Sequence, residues 1–142
     1  MADISWDLLK EELIRDEGRS ATLYRDSLGY LTGGVGRLLD PRLGGRFREN
    51  EIDLMLSNDV NIAYVQNRGK LWFEAADTDA RRRAFLNMRF QLGNRLDRFE
   101  NTLAAAARQD WTDVGRRLRQ SRWHQETPER ADRIIRMLET GS

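Results

Sequence analysis

Three side chains suited to acid–base chemistry lie near the N-terminus, in the stretch RDEGRSATLYRDSLGYLTGGVGR: Glu17, Asp26 and Thr32. A protonated carboxyl group can donate to the oxygen of a departing sugar while an ionised carboxylate activates water on the opposite face. Glycosidases that invert the sugar configuration keep these two carboxyl groups roughly 6.5–9.5 Å apart, which leaves room for the water. A threonine hydroxyl beside the second carboxylate helps to hold that water. Together, the three residues favour glycoside hydrolysis with inversion.

Glu17 is predicted to lie in the last turn of an N-terminal helix that begins after Asp3 or Ser5. Gly18 is suited to end this helix, because glycine readily adopts the left-handed conformation of a helix terminus. The apolar residues of the segment fall near helical spacing: Trp6, Leu9 and Leu13. A helix disfavours negative charge at its C-terminal end, which suits a proton donor. A surface glutamate without chemical function would produce the same local pattern.

The next segment changes to strand-forming residues around the turn-forming sequence DSLG, which predicts a β-hairpin. We predict a three-residue loop, in which Asp26 pairs with Tyr30 and Tyr24 pairs with Thr32. Asp26 and Thr32 are then diagonal neighbours on one face of the sheet, about 7–8 Å apart at the backbone. A four-residue loop would turn Thr32 to the other face. Asp26 also fits a purely structural role, as the side chain of an Asx turn.

Most of the remaining sequence is predicted to be helical. The segment DPRLGGRFREN (residues 40–50) is a loop rich in glycine and proline, and a helix follows at residues 51–66. Helical patterns continue from residue 79, with Thr127 before Pro128 resembling an N-cap. The predicted breaks fall at residues 93–94, 109–110 and 126–128. The fold class is therefore α+β and mostly α-helical, with a small antiparallel sheet near the N-terminus.

The composition excludes several classes of function. The 142 residues carry a net charge of +1, which gives no general case for binding nucleic acid. Because the sequence has no cysteine and a single histidine, His124, it offers neither thiol catalysis nor a multi-histidine metal site. It contains no apolar run of membrane-spanning length and no signal-peptide pattern at its N-terminus. We therefore expect no metal, no cofactor and no transmembrane segment.

Four segments extend over nearly the whole chain: DEG at 16–18, LYRDSLGYLTGGVGRLL at 23–39, AFLNMRFQLGN at 84–94 and SRWHQETPERADRIIRM at 121–137. They resemble the T-even bacteriophage lysozymes, the endolysins of glycoside hydrolase family 24. The family's signature is an acid, eight intervening residues, an aspartate, five intervening residues and a threonine, and the same spacing occurs here. The spacing between Phe99, Trp111 and Trp123 is also similar.

This resemblance implies that Glu17 is the general acid, that Asp26 positions and activates water, and that Thr32 helps to hold it. The implied activity is that of a lysozyme, an N-acetylmuramidase. Such an enzyme hydrolyses the β-1,4 bond between N-acetylmuramic acid and N-acetylglucosamine in bacterial peptidoglycan. The implied biological role is lysis of the host cell to release phage.

The resemblance also implies supporting residues. Arg130 matches an arginine that forms an ion pair with the general acid, and Arg133 matches one that pairs with the preceding acid, here Asp16. Five residues fall where the family lines its saccharide cleft: Leu38, Phe90, Gln91, Thr102 and Arg117.

Two positions depart from the best-known member of the family. Arg37 stands where that protein has a histidine, and Asp59 falls at the acidic partner of the histidine, so we predict an Arg37–Asp59 salt bridge. Gly33 occupies a position that a larger residue usually holds, and the loop after Leu39 is several residues shorter.

The implied fold is a single two-lobed catalytic domain over residues 1–142. A small β-containing lobe covers about residues 19–50 and a long bridging helix about residues 50–67. The N-terminal helix and about residues 70–142 form the helical lobe. We expect a monomer that is made in the cytoplasm of the infected bacterium and acts on peptidoglycan in the periplasm. A separate holin-type pore would provide access.

Two other functions fit parts of the pattern. A lytic transglycosylase cleaves the same bond but forms an anhydro sugar, and this chemistry needs no pair of residues to hold water. A catalytically impaired peptidoglycan-binding domain is the second alternative, and Gly33 is the position that keeps it open. The GGVG sequence lacks the full pattern of a phosphate-binding loop. The following residues are predicted to form the core of the helical lobe: Phe85, Met88, Phe99, Trp111 and Trp123.

Overall fold

The structure is a computed structural model that describes residues 3–142. Helices account for 66% of the chain, and the α+β, mostly helical class predicted from the sequence is confirmed. None of the helices within residues 3–142 is long and apolar enough to cross a membrane. The α-helices in chain order are α1 (Trp6–Glu17), α2 (Glu49–Asn67), α3 (Leu71–Glu74), α4 (Asp79–Leu92), α5 (Glu100–Ala107), α6 (Trp111–Arg119), α7 (Arg122–Glu126) and α8 (Pro128–Thr140).

The chain divides into two compact units, Met1–Asp53 and Leu54–Ser142, and α2 passes from one to the other. In the first unit, α1 begins after Ser5, whose side chain forms no capping hydrogen bond. The helix ends at Glu17 because Gly18 has φ 77°, and the Gly18 N–H donates to the carbonyl of Ile14 at 2.8 Å. Glu17 is therefore the last helical residue, as predicted.

A three-stranded antiparallel sheet follows, in the order β1 (Ser20–Arg25), β2 (Leu31–Gly34) and β3 (Arg37–Leu38). Tyr24 lies opposite Thr32, and the Asp26 N–H donates to the Tyr30 carbonyl at 2.9 Å. The loop between β1 and β2 is thus the predicted three-residue loop. On its other side, Thr32 lies opposite Leu38 of β3.

The second unit contains an aromatic core. Phe85 is fully buried and packs edge to face against Trp72, with ring centroids 5.0 Å apart. Phe99 and Trp123 form a second edge-to-face pair at 6.5 Å, a favourable geometry for aromatic rings. The predicted core residues are all buried or packed against this core: Phe85, Met88, Phe99, Trp111 and Trp123.

All three predicted breaks lie between α-helices of the second unit. A further break separates α6 from α7, because the Ser121 hydroxyl accepts the His124 N–H at 3.1 Å and so begins a new helix. Thr127 precedes Pro128 as predicted, but its hydroxyl donates to the Trp123 carbonyl at 3.2 Å and does not cap α8.

Candidate active site

The side chain of Glu17 lies against the turn that joins β2 to β3. Gly36 in this turn has φ +64°, and a Cβ atom at that position would lie 2.8 Å from Glu17 Oε2. Only glycine combines this positive φ with so close a neighbour. The glycines of GGVG are typical of strands that a ligand approaches closely; at Gly36 the close neighbour is Glu17.

Asp26 forms an Asx turn at the tip of the hairpin. Its Oδ1 accepts the backbone N–H groups of Leu28 and Tyr30, each at 2.9 Å. The structural role considered for this residue is therefore present. Its other carboxylate oxygen, Oδ2, accepts no hydrogen bond from residues 3–142. Asp26 is half-buried, so Asx-turn formation leaves one oxygen for a ligand.

Thr32 is buried, and its hydroxyl donates to the Tyr30 carbonyl at 3.0 Å. The backbone of Tyr30 thus contacts both candidate residues: its N–H binds Asp26 and its carbonyl binds Thr32. The hairpin register places Asp26 and Thr32 on the same face of the sheet. The sequence predicted that Tyr30 lies opposite Asp26, but not that its carbonyl accepts the Thr32 hydroxyl, because a backbone acceptor leaves no side-chain signal.

Gly33, the departure beside Thr32, is explained by its neighbours. A Cβ atom at Gly33 would lie 2.9 Å from Leu23 Cδ2 and 3.2 Å from Leu39 Cδ1. These two leucines occupy the space that a larger residue at this position would need. The small residue therefore complements the packing of the sheet.

Asp40 is a buried carboxylate that the sequence reasoning missed, with a relative exposure of 1%. Its Oδ2 accepts from Arg42 Nη2 at 2.5 Å, and its Oδ1 accepts from Arg42 Nε at 2.9 Å. These hydrogen bonds hold the pKa of Asp40 well below its usual range, with a further contribution from the backbone of Leu31. Asp40 therefore stays ionised near neutral pH and fixes the loop beside Thr32; it is not a proton donor.

The predicted partner of Arg37 was wrong. Arg37 Nη1 and Nη2 donate to Glu51 Oε2 and Oε1, at 2.7 and 2.6 Å, in a two-pronged ion pair. Asp59 lies about 12 Å further along α2. Glu51 also accepts the Arg48 N–H at 2.8 Å in the first turn of α2, where negative charge is favoured. The prediction followed the position of the acidic partner in the family's histidine–acid pair, and that position does not correspond to Glu51.

The Arg37–Glu51 pair predicts an acid-sensitive contribution to stability. Hydrogen bonds from Arg37 and from the Arg48 backbone lower the pKa of Glu51 from 4.5 to about 2. The native state therefore holds this carboxylate ionised, and the contribution is complete above the unfolded-state pKa. It is lost as the pH falls from about 4.5 towards 2. Denaturant unfolding at pH 7 and pH 3 should show a smaller loss for Glu51→Gln than for the wild type. An equal loss in both proteins would contradict the assignment.

The other predicted ion pairs would each join the two units, and both stay predictions. Within its own unit, Asp16 Oδ1 accepts from Arg15 Nε at 3.0 Å, with both side chains exposed. Arg130 Nε and Nη2 donate to Asn87 Oδ1 at 3.0 and 2.8 Å. Arg133, the predicted partner of Asp16, lies on α8.

Four of the predicted sugar-lining residues belong to the second unit. Phe90 is exposed on α4, and Gln91 Oε1 accepts the Trp123 Nε1 hydrogen bond at 3.0 Å. Thr102 and Arg117 border one cavity of about 300 Å³. The fifth residue, Leu38, lies in the first unit, and contact of all five with sugar remains a prediction.

No family model matches the chain. The chain is 26% identical, over 94% of its length, to "Probable T4-type lysozyme 1" of Dictyostelium discoideum, and the match covers 95% of that protein. It is 27% identical, with the same coverage, to "Probable T4-type lysozyme 2" of the same organism. The chain is a relative of the T4-type lysozymes. It is also 28% identical to the pre-baseplate central spike protein Gp5 of Enterobacteria phage T4, over 94% of the chain but 28% of Gp5.

In this relative of the T4-type lysozymes, the three candidate catalytic residues all lie in the first unit. Glu17 ends α1, Asp26 follows β1, and Thr32 lies in β2. Short local contacts position each of them: the packing of Glu17 at Gly36, and the hydrogen bonds of the other two to Tyr30.

Proposed function

We propose that this relative of the T4-type lysozymes is a muramidase that hydrolyses the N-acetylmuramic acid–N-acetylglucosamine β-1,4 bond of peptidoglycan with inversion. The hairpin register is the observation that carries the proposal, because it places Asp26 and Thr32 on one face of the sheet. The packing of Glu17 against Gly36 of the same sheet supports a role for all three in one site. The relationship with T4-type lysozymes supports the assignment to glycoside hydrolases.

In the proposed reaction, Glu17 donates its proton to the glycosidic oxygen as the bond to the anomeric carbon breaks. The Thr32 hydroxyl donates a hydrogen bond to the Tyr30 carbonyl. Its oxygen can therefore accept a hydrogen bond from the water molecule. The Asp26 carboxylate accepts the second hydrogen of the same water. The water oxygen then attacks the anomeric carbon from the opposite face, and Asp26 takes up the released proton.

The proposal extends to the wider role. Arg130 and Arg133 would support the acidic residues Glu17 and Asp16. The predicted sugar-lining residues would bind the glycan strand. The protein would act as a monomeric endolysin that reaches the periplasm from the host cytoplasm through a separate holin-type pore and lyses the cell.

Product analysis on peptidoglycan tests this reaction. The wild-type protein should clear outer-membrane-permeabilised Gram-negative cells and release fragments with a reducing sugar end. Because the reaction is inverting, the first product detected by NMR should carry the α-anomer, and its new hydroxyl should contain ¹⁸O when the solvent is labelled water. Products that end in an anhydro sugar and contain no ¹⁸O would indicate a lytic transglycosylase. Binding to sacculi without bond cleavage would indicate a catalytically impaired binding domain.

A further inference from the structure

The first unit contains a concavity of about 280 Å³ that none of the three candidate catalytic residues lines. We call it the arginine cavity. It lies where β3 meets the loop that leads to α2, and its lining residues are Arg37, Leu38, Gly44, Gly45, Arg46 and Arg48.

The charges around the arginine cavity are unbalanced. Arg37 donates twice to Glu51, and Arg48 Nη1 lies 3.5 Å from the same carboxylate. Arg46 is exposed and forms no ion pair with any of residues 3–142. Two guanidinium groups therefore share one carboxylate and a third has no acidic partner among residues 3–142, which leaves an excess of positive charge at this concave surface.

Tight backbone packing holds the loop that carries Arg46. A Cβ atom at Gly45 would lie 2.6 Å from the carbonyl carbon of Leu39, so only glycine fits. The Gly45 N–H donates to the Asp40 carbonyl at 3.0 Å, and the buried Asp40 side chain binds Arg42 in the same loop. The loop that carries Arg46 is thus fixed by backbone contacts at Gly45 and by the ion pair between the buried Asp40 and the exposed Arg42.

The arginine cavity lies next to the candidate catalytic residues. Leu38, which lines the cavity, is directly opposite Thr32 in the sheet. Residues opposite one another share a face, and Asp26 lies on the same face as Thr32. Arg37, opposite Gly33, lies on the other face, so Leu38 is the lining residue that connects the cavity to the face with Asp26 and Thr32. A molecule bound along that face reaches the cavity at Leu38.

We propose that the arginine cavity binds a carboxylate on the peptide stems of the glycan strand. This inference rests on the proposed function, because the sugar backbone is uncharged and the stems carry the acidic groups of peptidoglycan. Arginine suits this task, since its planar guanidinium binds a carboxylate through paired N–H groups. Leu38 supplies an apolar contact beside the charged group.

The test compares Arg46→Gln with the wild type on two substrates: native soluble peptidoglycan strands, and the same strands with their carboxyl groups amidated. Arg46→Gln should raise KM for native strands roughly two- to fivefold, as for one exposed ion pair, and leave kcat unchanged. On amidated strands the two proteins should have equal KM. Arg136→Gln removes an exposed arginine from α8, outside the cavity, and serves as the charge-matched control with wild-type kinetics.

Binding measured in a Glu17→Gln background separates this inference from the proposed function. If the wild type cleaves nothing, calorimetry with native and amidated strands still tests the cavity, and a loss of affinity on amidation that requires Arg46 supports it. An unchanged KM for Arg46→Gln, or an equal KM increase on both substrates, would overturn the inference. The inference would also be overturned if Arg46→Gln weakened the binding of polyphosphate but not of peptidoglycan strands. That result would assign the cavity to a phosphate polymer.

Discussion

Replacing Glu17 by glutamine is expected to reduce the clearing of permeabilised Gram-negative cells roughly a hundredfold to ten-thousandfold, the contribution of a positioned general acid. Glutamine has the size of glutamate, so its packing against Gly36 is kept while the transferable proton is lost. Turbidity loss at matched protein concentration measures the effect. The sugar oxygen then departs without protonation, so the loss should appear in kcat.

Glu11→Gln is the matched control for this variant. It makes the same change on an exposed residue of α1, six residues before Glu17, and should clear cells at the wild-type rate. Both variants should keep the free energy of unfolding within about 0.5 kcal/mol of the wild type, because both glutamates are exposed. Wild-type clearing by Glu17→Gln would remove Glu17 from the mechanism.

Asp26→Asn is expected to cause a similar loss, roughly a hundredfold to ten-thousandfold in kcat, with little change in stability. The asparagine oxygen can still accept the N–H groups of Leu28 and Tyr30, so the hairpin tip is kept. The amide cannot take up the proton that the attacking water releases. Single-turnover cleavage of peptidoglycan strands, together with urea unfolding, measures the two effects.

Asp26→Ala separates the turn from the chemistry. It removes the acceptor of two backbone N–H groups and should lower the free energy of unfolding by about 1–2 kcal/mol. Per folded molecule its activity should be no lower than that of Asp26→Asn. Asp79→Asn in the second unit should leave the activity unaffected and lower the free energy of unfolding by less than about 1 kcal/mol, because it removes only an exposed ion pair with Arg83. Full activity of Asp26→Asn would show that Asp26 serves the turn alone.

The sequence predicted the features that depend on near neighbours. Loop length determines which residues pair across a hairpin, so the position of Thr32 opposite Tyr24 followed from three residues between Asp26 and Tyr30. The end of α1 followed from Gly18 in the same way. In the core, the large apolar side chains of the helical lobe were sufficient to predict which residues pack together.

Contacts through space were not predicted. The ion pair of Arg37 depends on how β3 approaches the start of α2, and no local pattern encodes that approach. The family resemblance predicted Asp59 as the partner of Arg37. Asp59 is also acidic, but it lies on α2 eight residues beyond the observed partner Glu51. The packing of Glu17 at Gly36 was missed for the same reason, because the two residues are brought together by the return of the chain through the sheet.

The hydrogen bonds of the Tyr30 backbone to the side chains of Asp26 and Thr32 have a mechanical consequence. Since one amino acid's main chain anchors both the threonine oxygen and the aspartate carboxylate, thermal displacement of the hairpin tip carries the two groups along together. The distance between the two groups therefore changes little when the hairpin tip moves. The space between them for a bound water molecule is kept in the same way. The phenol ring of this tyrosine takes no part in the anchoring, so the spacing of the two groups does not depend on the ring.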